Sequence, residues 1–332
     1  MDSATILVIL VIVVALTFDY INGFHDAANA IATVVATRVL SPGKAVAWAA
    51  WWNFASAFTF GTGVASTVGS GLVDLNKIDQ LTFLAALVGA IVWDLITWYY
   101  GLPSSSSHAL IGGLAGAAIA KAGFAAIVWG QKWILTLVFI FLAPMLGLGL
   151  AWLLMILIYW LFHNSSPSKM DRWFRWLQLF SSGIFSYSHG TNDAQKTMGI
   201  ITGAMFTAGW IKTFEVPVWV ILSAHAAIAL GTMSGGWRII HTMGGRLTRL
   251  KPRSGFCAET AAAISILFST ELKMPVSTTH TITGAIAGVG SIQRFKAVRW
   301  GVATNIIWAW VLTIPAAALV GWLTMHVIEL AR

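Results

Sequence analysis

The sequence predicts an all-α polytopic membrane protein, built as an inverted-repeat helical bundle with two re-entrant helical hairpins. Three observations carry that expectation. Of the 332 residues, 58% are hydrophobic and only 10% are charged. With a mean hydropathy of +0.78, the chain lies outside the range of soluble domains and holds many windows long enough to cross a bilayer. Two polar motifs occur twice in the same order, the mark of an internal duplication. Equivalent loops in the two copies differ in charge, which sets the copies in opposite orientations.

The first motif is Gly23-Phe24-His25-Asp26-Ala27-Ala28-Asn29, which returns as Gly190-Thr191-Asn192-Asp193-Ala194-Gln195-Lys196. The second is Pro103-Ser104-Ser105-Ser106-Ser107-His108, which returns as Pro275-Val276-Ser277-Thr278-Thr279-His280. Asp26 precedes Pro103 by 77 positions and Asp193 precedes Pro275 by 82. The chain therefore divides into a first repeat over 1–162 with a hairpin tip at 103–108, a short cytoplasmic linker over 163–176, and a second repeat over 177–332 with a tip at 275–280.

The elements follow in order. An apolar stretch from about Ala4 to Ala36 is interrupted by Asp19, Asn22, Gly23, His25, Asp26 and Asn29. Polar groups at membrane depth must turn toward protein or a wet cavity. No basic region precedes this stretch, so it reads as a retained helix rather than a cleaved signal. A turn with Arg38, Pro42 and Lys44 leads to a span from about Ala45 to Val68. The apolar region Leu81–Ile119 is cut by Gly101-Leu102-Pro103 and four serines, and a further span covers about Trp133 to Phe162. The second half repeats the order: Gln178 to Phe206, Pro217 to Gly236, Phe256 to Gly290 cut at Met274-Pro275, and Val302 to Val327.

The loop before the first proline cut holds Asp74, Asp79 and one lysine, while its equivalent holds Arg238, Arg246, Arg249, Lys251 and Arg253. The positive-inside bias puts them on opposite faces, with Arg38, Lys44, the segment Lys169–Arg175 and the group Arg294, Lys296 and Arg299 all cytoplasmic. That arrangement needs each proline-cut region to leave the membrane on the side it entered, and it puts both termini outside. The net charge of +8 is then a property of cytoplasmic loops. No basic region is long enough to form a nucleic-acid face, so no nucleic-acid partner is expected. The 18 tryptophans suit interfacial belts. A single cysteine, Cys257, rules out an internal disulfide and a cysteine-rich metal site.

Serines or threonines that start a helix offer an anion unpaired N–H groups, the positive end of the dipole and pivoting hydroxyl donors. Ser104, Ser105, Ser106 and Ser107, with Ser277, Thr278 and Thr279, are thus candidate ligands of a tetrahedral oxyanion clasped between two tips. The alternative is that they are helix caps after a proline turn. Asp26, Asn29, Asn192 and Asp193 offer the hard oxygen ligands that a sodium ion wants, or carboxylates that carry a proton. A structural network of paired polar groups is the competing account. Lys196 lies three positions after Asp193, placed to neutralise it or to reach the anion. Secondary candidates are His25, Asp94, His108, Gln195, Glu259 and His280. Asn53 and His225 read as helix bridges, and Gly112, Gly113, Gly116, Gly284 and Gly288 as sites of close helix packing.

These residues resemble the inorganic phosphate transporter (PiT) family. Its signature is similar to Gly-Ala-Asn-Asp-x-Ala-Asn in one half, here Gly23 to Asn29, and Gly-Ala-Asn-Asp-Ala-Gln-Lys in the other, here Gly190 to Lys196. The Pro-x-Ser-x-x-His tips at Pro103 and Pro275 match as well, so the likeness covers essentially the whole chain. The resemblance implies a carrier in the plasma (inner) membrane, usually dimeric, that moves phosphate inward with sodium or protons and holds no cofactor. By motif match, Ser104 to Ser107 and Ser277 to Thr279 inherit the phosphate role. Asp26, Asn29, Asn192 and Asp193 inherit the cation role. His25 stands where the signature more often has Asn, as in bacterial members, and Asp94 where bacterial relatives more often have Asn. The large insert of some relatives is reduced here to about His163–Arg175.

Two alternatives accompany the symporter. A sulfate permease of the same fold would carry a second tetrahedral anion, but phosphate near neutral pH keeps a proton that a carboxylate can accept. An intramembrane phosphatase would need a base beside its serine and an arginine or metal on the transferring group. No arginine lies near either tip, and no nucleotide-binding loop is present. Free phosphate and a metal–phosphate complex are both open as cargo.

Overall fold

The computed structural model describes residues 2–59, 61–293 and 295–331. Among them every regular element is a helix, and the sole extended pairing is a single bridge between Val73 and Ile127. Helix α1 (Ser3–Ala36) starts at Asp2, whose side chain accepts the Thr5 N–H at 3.0 Å. Its 34 residues reach about 51 Å. The span expected over Ala45–Val68 is instead two pieces, α2 (Pro42–Ala55) with a 3-10 turn (Ser56–Phe58), and α3 (Gly63–Ser70). Ser56 Oγ donates to Asn53 O at 2.7 Å where α2 ends, and Gly61 and Gly63 follow.

The first proline-cut region forms α4 (Gln80–Tyr100) and α5 (Ser106–Ala122). Asp79 and Thr82 close a reciprocal cap on α4, and Gly101 ends it in the left-handed conformation at φ 65°. Helix α6 (Gln131–Leu161) follows, with Pro144 inside it. Helix α7 (Pro167–Thr207) begins earlier than the expected Gln178, so most of the segment 163–176 is helical. Pro167 at the helix start explains that onset, and Ser166 holds the N-cap position without a side-chain capping bond. Helix α8 (Val218–Ser234) bends by 61° into the short α9 (Trp237–His241) and a π turn (Thr242–Arg246). Then come α10 (Pro252–Glu271), α11 (Thr278–Gln293) and α12 (Trp300–Leu330). Arg294 lies outside the described residues.

Among the described residues, five helices are long and apolar enough to cross a membrane (α1, α4, α5 with its following turn, α6 and α12), and the bent α8–α9 pair makes a sixth. The outward faces of α6 and α12 expose Ile134, Phe141, Trp160, Trp308 and Val327, as lipid contact requires. This is an integral membrane protein.

Helix pairing crosses between the halves. Helix α5 packs on α12 and α11 on α6; α4 packs on α5 and α12, and α10 on α11 and α6; α1 runs against α4 and α8, and α7 against α10 and α2. Exchanging the first six helices for the last six maps each pairing onto another. The glycines set the spacing. A β-carbon on Gly116 would lie 2.0 Å from Ala318 O, and one on Gly284 2.1 Å from Pro144 O, so only glycine permits these approaches. Polar groups collect where α1 and α7 pass through the centre.

Candidate functional site

The two tips meet inside the bundle. Ser105 ends an extended segment and accepts the His108 N–H on its Oγ at 3.2 Å, capping α5. Ser277 does the same for the His280 N–H at 3.1 Å. These two hydroxyls are spent on caps. Both helices leave first-turn amides at Ser106, Ser107, Thr278 and Thr279 without intrahelical acceptors. Ser107 Oγ crosses to the other tip and donates to Val276 O at 3.2 Å. The rings of His108 and His280 stand edge to face at 4.8 Å, and His280 stacks on Trp310 at 3.9 Å. Trp310 Nε1 in turn donates to Pro103 O at 3.1 Å, fixing the first tip.

Each aspartate motif reaches the other half's tip. Thr279 Oγ1 lies 3.4 Å from Asp26 Oδ1 and accepts from Asn29 Nδ2 at 2.8 Å. Thr278 Oγ1 reaches Asp26 Oδ2 at 3.4 Å and Asp193 Oδ2 at 3.5 Å. In the mirrored contact, Lys196 Nζ donates to Ser107 Oγ, and also to Asp193 Oδ1 at 2.5 Å and Val276 O at 3.0 Å. Each motif also holds its own half. His25 Nδ1 donates to Asp26 Oδ1 at 2.8 Å, and its Nε2 pairs with Thr97 Oγ1 at 3.0 Å, where Ser104 Oγ also donates at 2.8 Å. Asn192 Nδ2 donates to Thr270 Oγ1 at 2.8 Å, and its Oδ1 accepts the Val276 N–H at 3.3 Å. All of these residues are buried, Lys196 to 1% exposure.

One member of the cluster has no signal in the duplicated motifs. His189 Nε2 lies 3.3 Å from Asp193 Oδ2 and 3.8 Å from Asp26 Oδ2, while its Nδ1 pairs with Asn53 Oδ1 at 3.2 Å. Its counterpart in the first half is Asn22, so comparing the two motifs does not single it out. Facing ligand atoms of Asp26, His189 and Asp193 all lie within 4.8 Å of one another, a spacing that can hold a cation.

The remaining candidates separate. Asp94 is buried beside the Ser106 hydroxyl, with no well-aligned hydrogen bond between them, and it lies near His25 and Asp26. Gln195 points away: its Oε1 accepts the Val64 N–H at 2.9 Å and so caps α3. Glu259 sits in a cluster of its own, accepting from Thr33 Oγ1 at 2.6 Å, from Gln178 Nε2 at 3.0 Å and from Ser181 Oγ. Asn53 does bridge helices, donating to Thr232 Oγ1 at 2.9 Å, whereas His225 Nδ1 binds its own helix at Ile221 O.

The centre thus holds two carboxylates against one ammonium, with two imidazoles between them. Two helix starts and the hydroxyls of Ser107 and Thr278 face the same point. Helix-start amides and hydroxyls are donors that suit an anion, and paired carboxylates are acceptors that suit a cation.

Known proteins share this arrangement of sequence. The chain is 53% identical over 320 residues to the "Probable low-affinity inorganic phosphate transporter" of Rhizobium meliloti (strain 1021), covering 96% of each chain. It is 44% identical over 333 residues to the protein of the same name from Bacillus subtilis (strain 168), covering 99% of each. Its fold matches that of a solved structure titled "The sodium-dependent phosphate transporter", with a TM-score of 0.91, at 24% identity and over 98% of this chain and 100% of that one. Residues 22–321 match the profile of the Phosphate transporter family. The chain belongs to that family, whose members are transporters and not enzymes.

Proposed function

We propose that the protein imports inorganic phosphate across the plasma membrane by symport with a cation, sodium or the proton. Two inverted repeats carry the site on two re-entrant tips. The observation that carries this reading is the meeting of Lys196, Ser107 and Thr278 with Asp26 and Asp193 at one buried point. Asp26 and Asp193 put two carboxylates at the point an anion enters, beside the Lys196 ammonium and the His25 and His189 rings. A phosphate dianion entering it meets like charge at short range in a poorly screened interior. A cation at Asp26 and Asp193 removes that penalty, so anion and cation bind better together than apart.

Phosphate takes its donors from the amides that open α5 and α11, from the hydroxyls of Ser107, Thr278 and Thr279, and from Lys196. Lys196 exchanges its Ser107 contact for a phosphate oxygen, and the cation replaces it beside Asp193. The hydroxyl that hydrogen phosphate retains donates a hydrogen bond to a carboxylate oxygen. Sulfate has no such proton and places two unpaired acceptors together.

The test is uptake of radiolabelled phosphate into proteoliposomes, with sodium and pH gradients imposed separately and sulfate as competitor. Accumulation driven by one of the two gradients, insensitive to excess sulfate, is expected. Uptake indifferent to both gradients would overturn the symport.

A further inference from the structure

Helix α1 and its C-cap Thr37 carry a stripe of buried polar residues at steps of three and four: Asp19, Asn22, Asp26, Asn29, Thr33 and Thr37. Such steps line one helix face. Asp26 and Asn29 belong to the central site, and Thr33 serves Glu259. The amino-terminal end of the stripe has no role in the reading above, and it is the part that lacks partners.

Asp19 is 0% exposed, and among the described residues its carboxylate has only the Thr197 hydroxyl and the Asn22 side chain to interact with, neither close enough and well enough aligned to make a full hydrogen bond. Asn22 beside it, 2% exposed, leaves Oδ1 unpartnered, and so does Thr197 Oγ1 on α7, at 0% exposure. Asn22 and Thr197 are the polar side chains that flank the carboxyl, and the charged groups that act on it are Asp193 and His189, both on α7. No lysine or arginine is among them. A buried carboxylate with another carboxylate for a neighbour and no fixed counter-charge needs a cation. Carboxylate, amide oxygen and hydroxyl are the hard donors that a small alkali cation takes; the same set holds a proton shared between the carboxyl and an amide oxygen.

We propose that Asp19, Asn22 and Thr197 form a second binding site for the co-transported cation, between the amino-terminal end of the bundle and the Asp26–Asp193 pair. Asp26 lies seven positions after Asp19, about 10 Å along the helix. One step down the stripe therefore passes the ion from this station to the centre, with His189 facing both. The station also breaks the duplication. The counterparts of Asp19, Asn22 and Thr197 are Ser186, His189 and Ala30, so the other half cannot build it. A device present in one copy alone distinguishes the two membrane faces, which the matched tips do not. By loop charge this end of α1 faces outward, where an importer collects its driving ion.

The inference rests on the symport reading, and the experiment separates the two. Wild-type, Asp19→Asn, Asp19→Glu and Thr197→Val proteins are reconstituted in proteoliposomes. Uptake of radiolabelled inorganic phosphate is titrated with external sodium chloride at fixed pH, and with external pH in the absence of sodium. The ion whose titration moves is the one the station holds. Asp19→Asn is expected to raise the half-saturating concentration of the driving cation about tenfold or more, as loss of a charge-assisted contact does. Half-saturation for phosphate at saturating cation stays within about twofold, since the anion ligands are untouched. Thr197→Val shifts the cation titration the same way by less. A wild-type protein with no cation dependence would sink the symport itself. A cation-dependent wild type with unchanged titrations in Asp19→Asn and Thr197→Val would sink the station alone. Should Asp19→Asn fail to fold, Asp19→Glu and Thr197→Val decide the matter: wild-type cation titrations in both overturn the site.

Discussion

Lys196 is the residue on which the central charges turn. Its ammonium touches Asp193, Ser107 and the Val276 carbonyl at once, and burial makes each of those contacts strong and their loss costly. Removing one partner of such a buried pair costs about 3–5 kcal/mol, so Lys196→Met is expected to lose phosphate transport together with much of its thermal stability. The neighbouring hydroxyls differ in what they serve. Ser105→Ala removes an α5 cap and should lower stability by about 1 kcal/mol with phosphate half-saturation little changed. Ser107→Ala removes a donor at the meeting point and a partner of Lys196, and should raise the half-saturating phosphate concentration as well as lowering stability by about 1–3 kcal/mol. Uptake titrations and thermal melts in detergent on the two variants check both; a rise in half-saturation confined to Ser105→Ala would reverse the assignment. The sequence shows the pairing of Lys196 with Asp193, because three helical positions put them on one face. It cannot say that Ser105 and Ser277 cap while Ser107 and Thr278 face the cluster, because that depends on where the chain leaves the extended segment. His189 escapes the sequence for a different reason. Its role comes from α1 and α7 crossing, which brings Asp26 to a histidine 163 positions away.

At the scale of the element, the tips show both how far the repeat extends and where it departs. Gly101 takes φ 65° after α4, and Lys273, 172 positions on, takes φ 59° after α10. The chain makes the same left-handed turn into each tip, once with the residue suited to it and once without. A side chain in that region costs roughly 1–2 kcal/mol. The second half accepts that cost where Thr67 Oγ1 donates to Lys273 O at 2.8 Å and the lysine stem lies against Gly63. Lys273→Gly is therefore expected to stabilise the protein by up to about 1 kcal/mol, and Gly101→Ala to destabilise it by about as much or more. Thermal unfolding in detergent reads both; stabilisation by Gly101→Ala would show that the turns are not equivalent. Proline and serine content announces these breaks in the sequence. The break between α2 and α3 is quieter, since apolar composition runs on through it and only Ser56, Thr59, Gly61 and Gly63 mark the turn.

At the scale of the whole molecule, neither half closes its own core. Helix α5 finds its partner in α12 and α11 finds its partner in α6, so each tip is clamped by the final helix of the other copy. That exchange brings two sites 172 residues apart to one centre, and it is compatible with either orientation of the copies. The loop charges predict the inverted one, and that expectation is open to a direct test. Lys77 and Arg249 are equivalent positions, both exposed, in the loops before the two tips. The native thiol of Cys257 is buried against Met155 and does not compete for reagent. In intact cells a membrane-impermeant maleimide is expected to label Lys77→Cys, and to label Arg249→Cys only after permeabilisation. A duplicated bundle whose copies pointed the same way would expose both thiols on one face. It would bring its tips in from a single side, leaving no wall between them for an alternating-access carrier to open and close. Equal labelling of both variants from outside would therefore remove the inverted arrangement, and with it the two-sided clasp on phosphate.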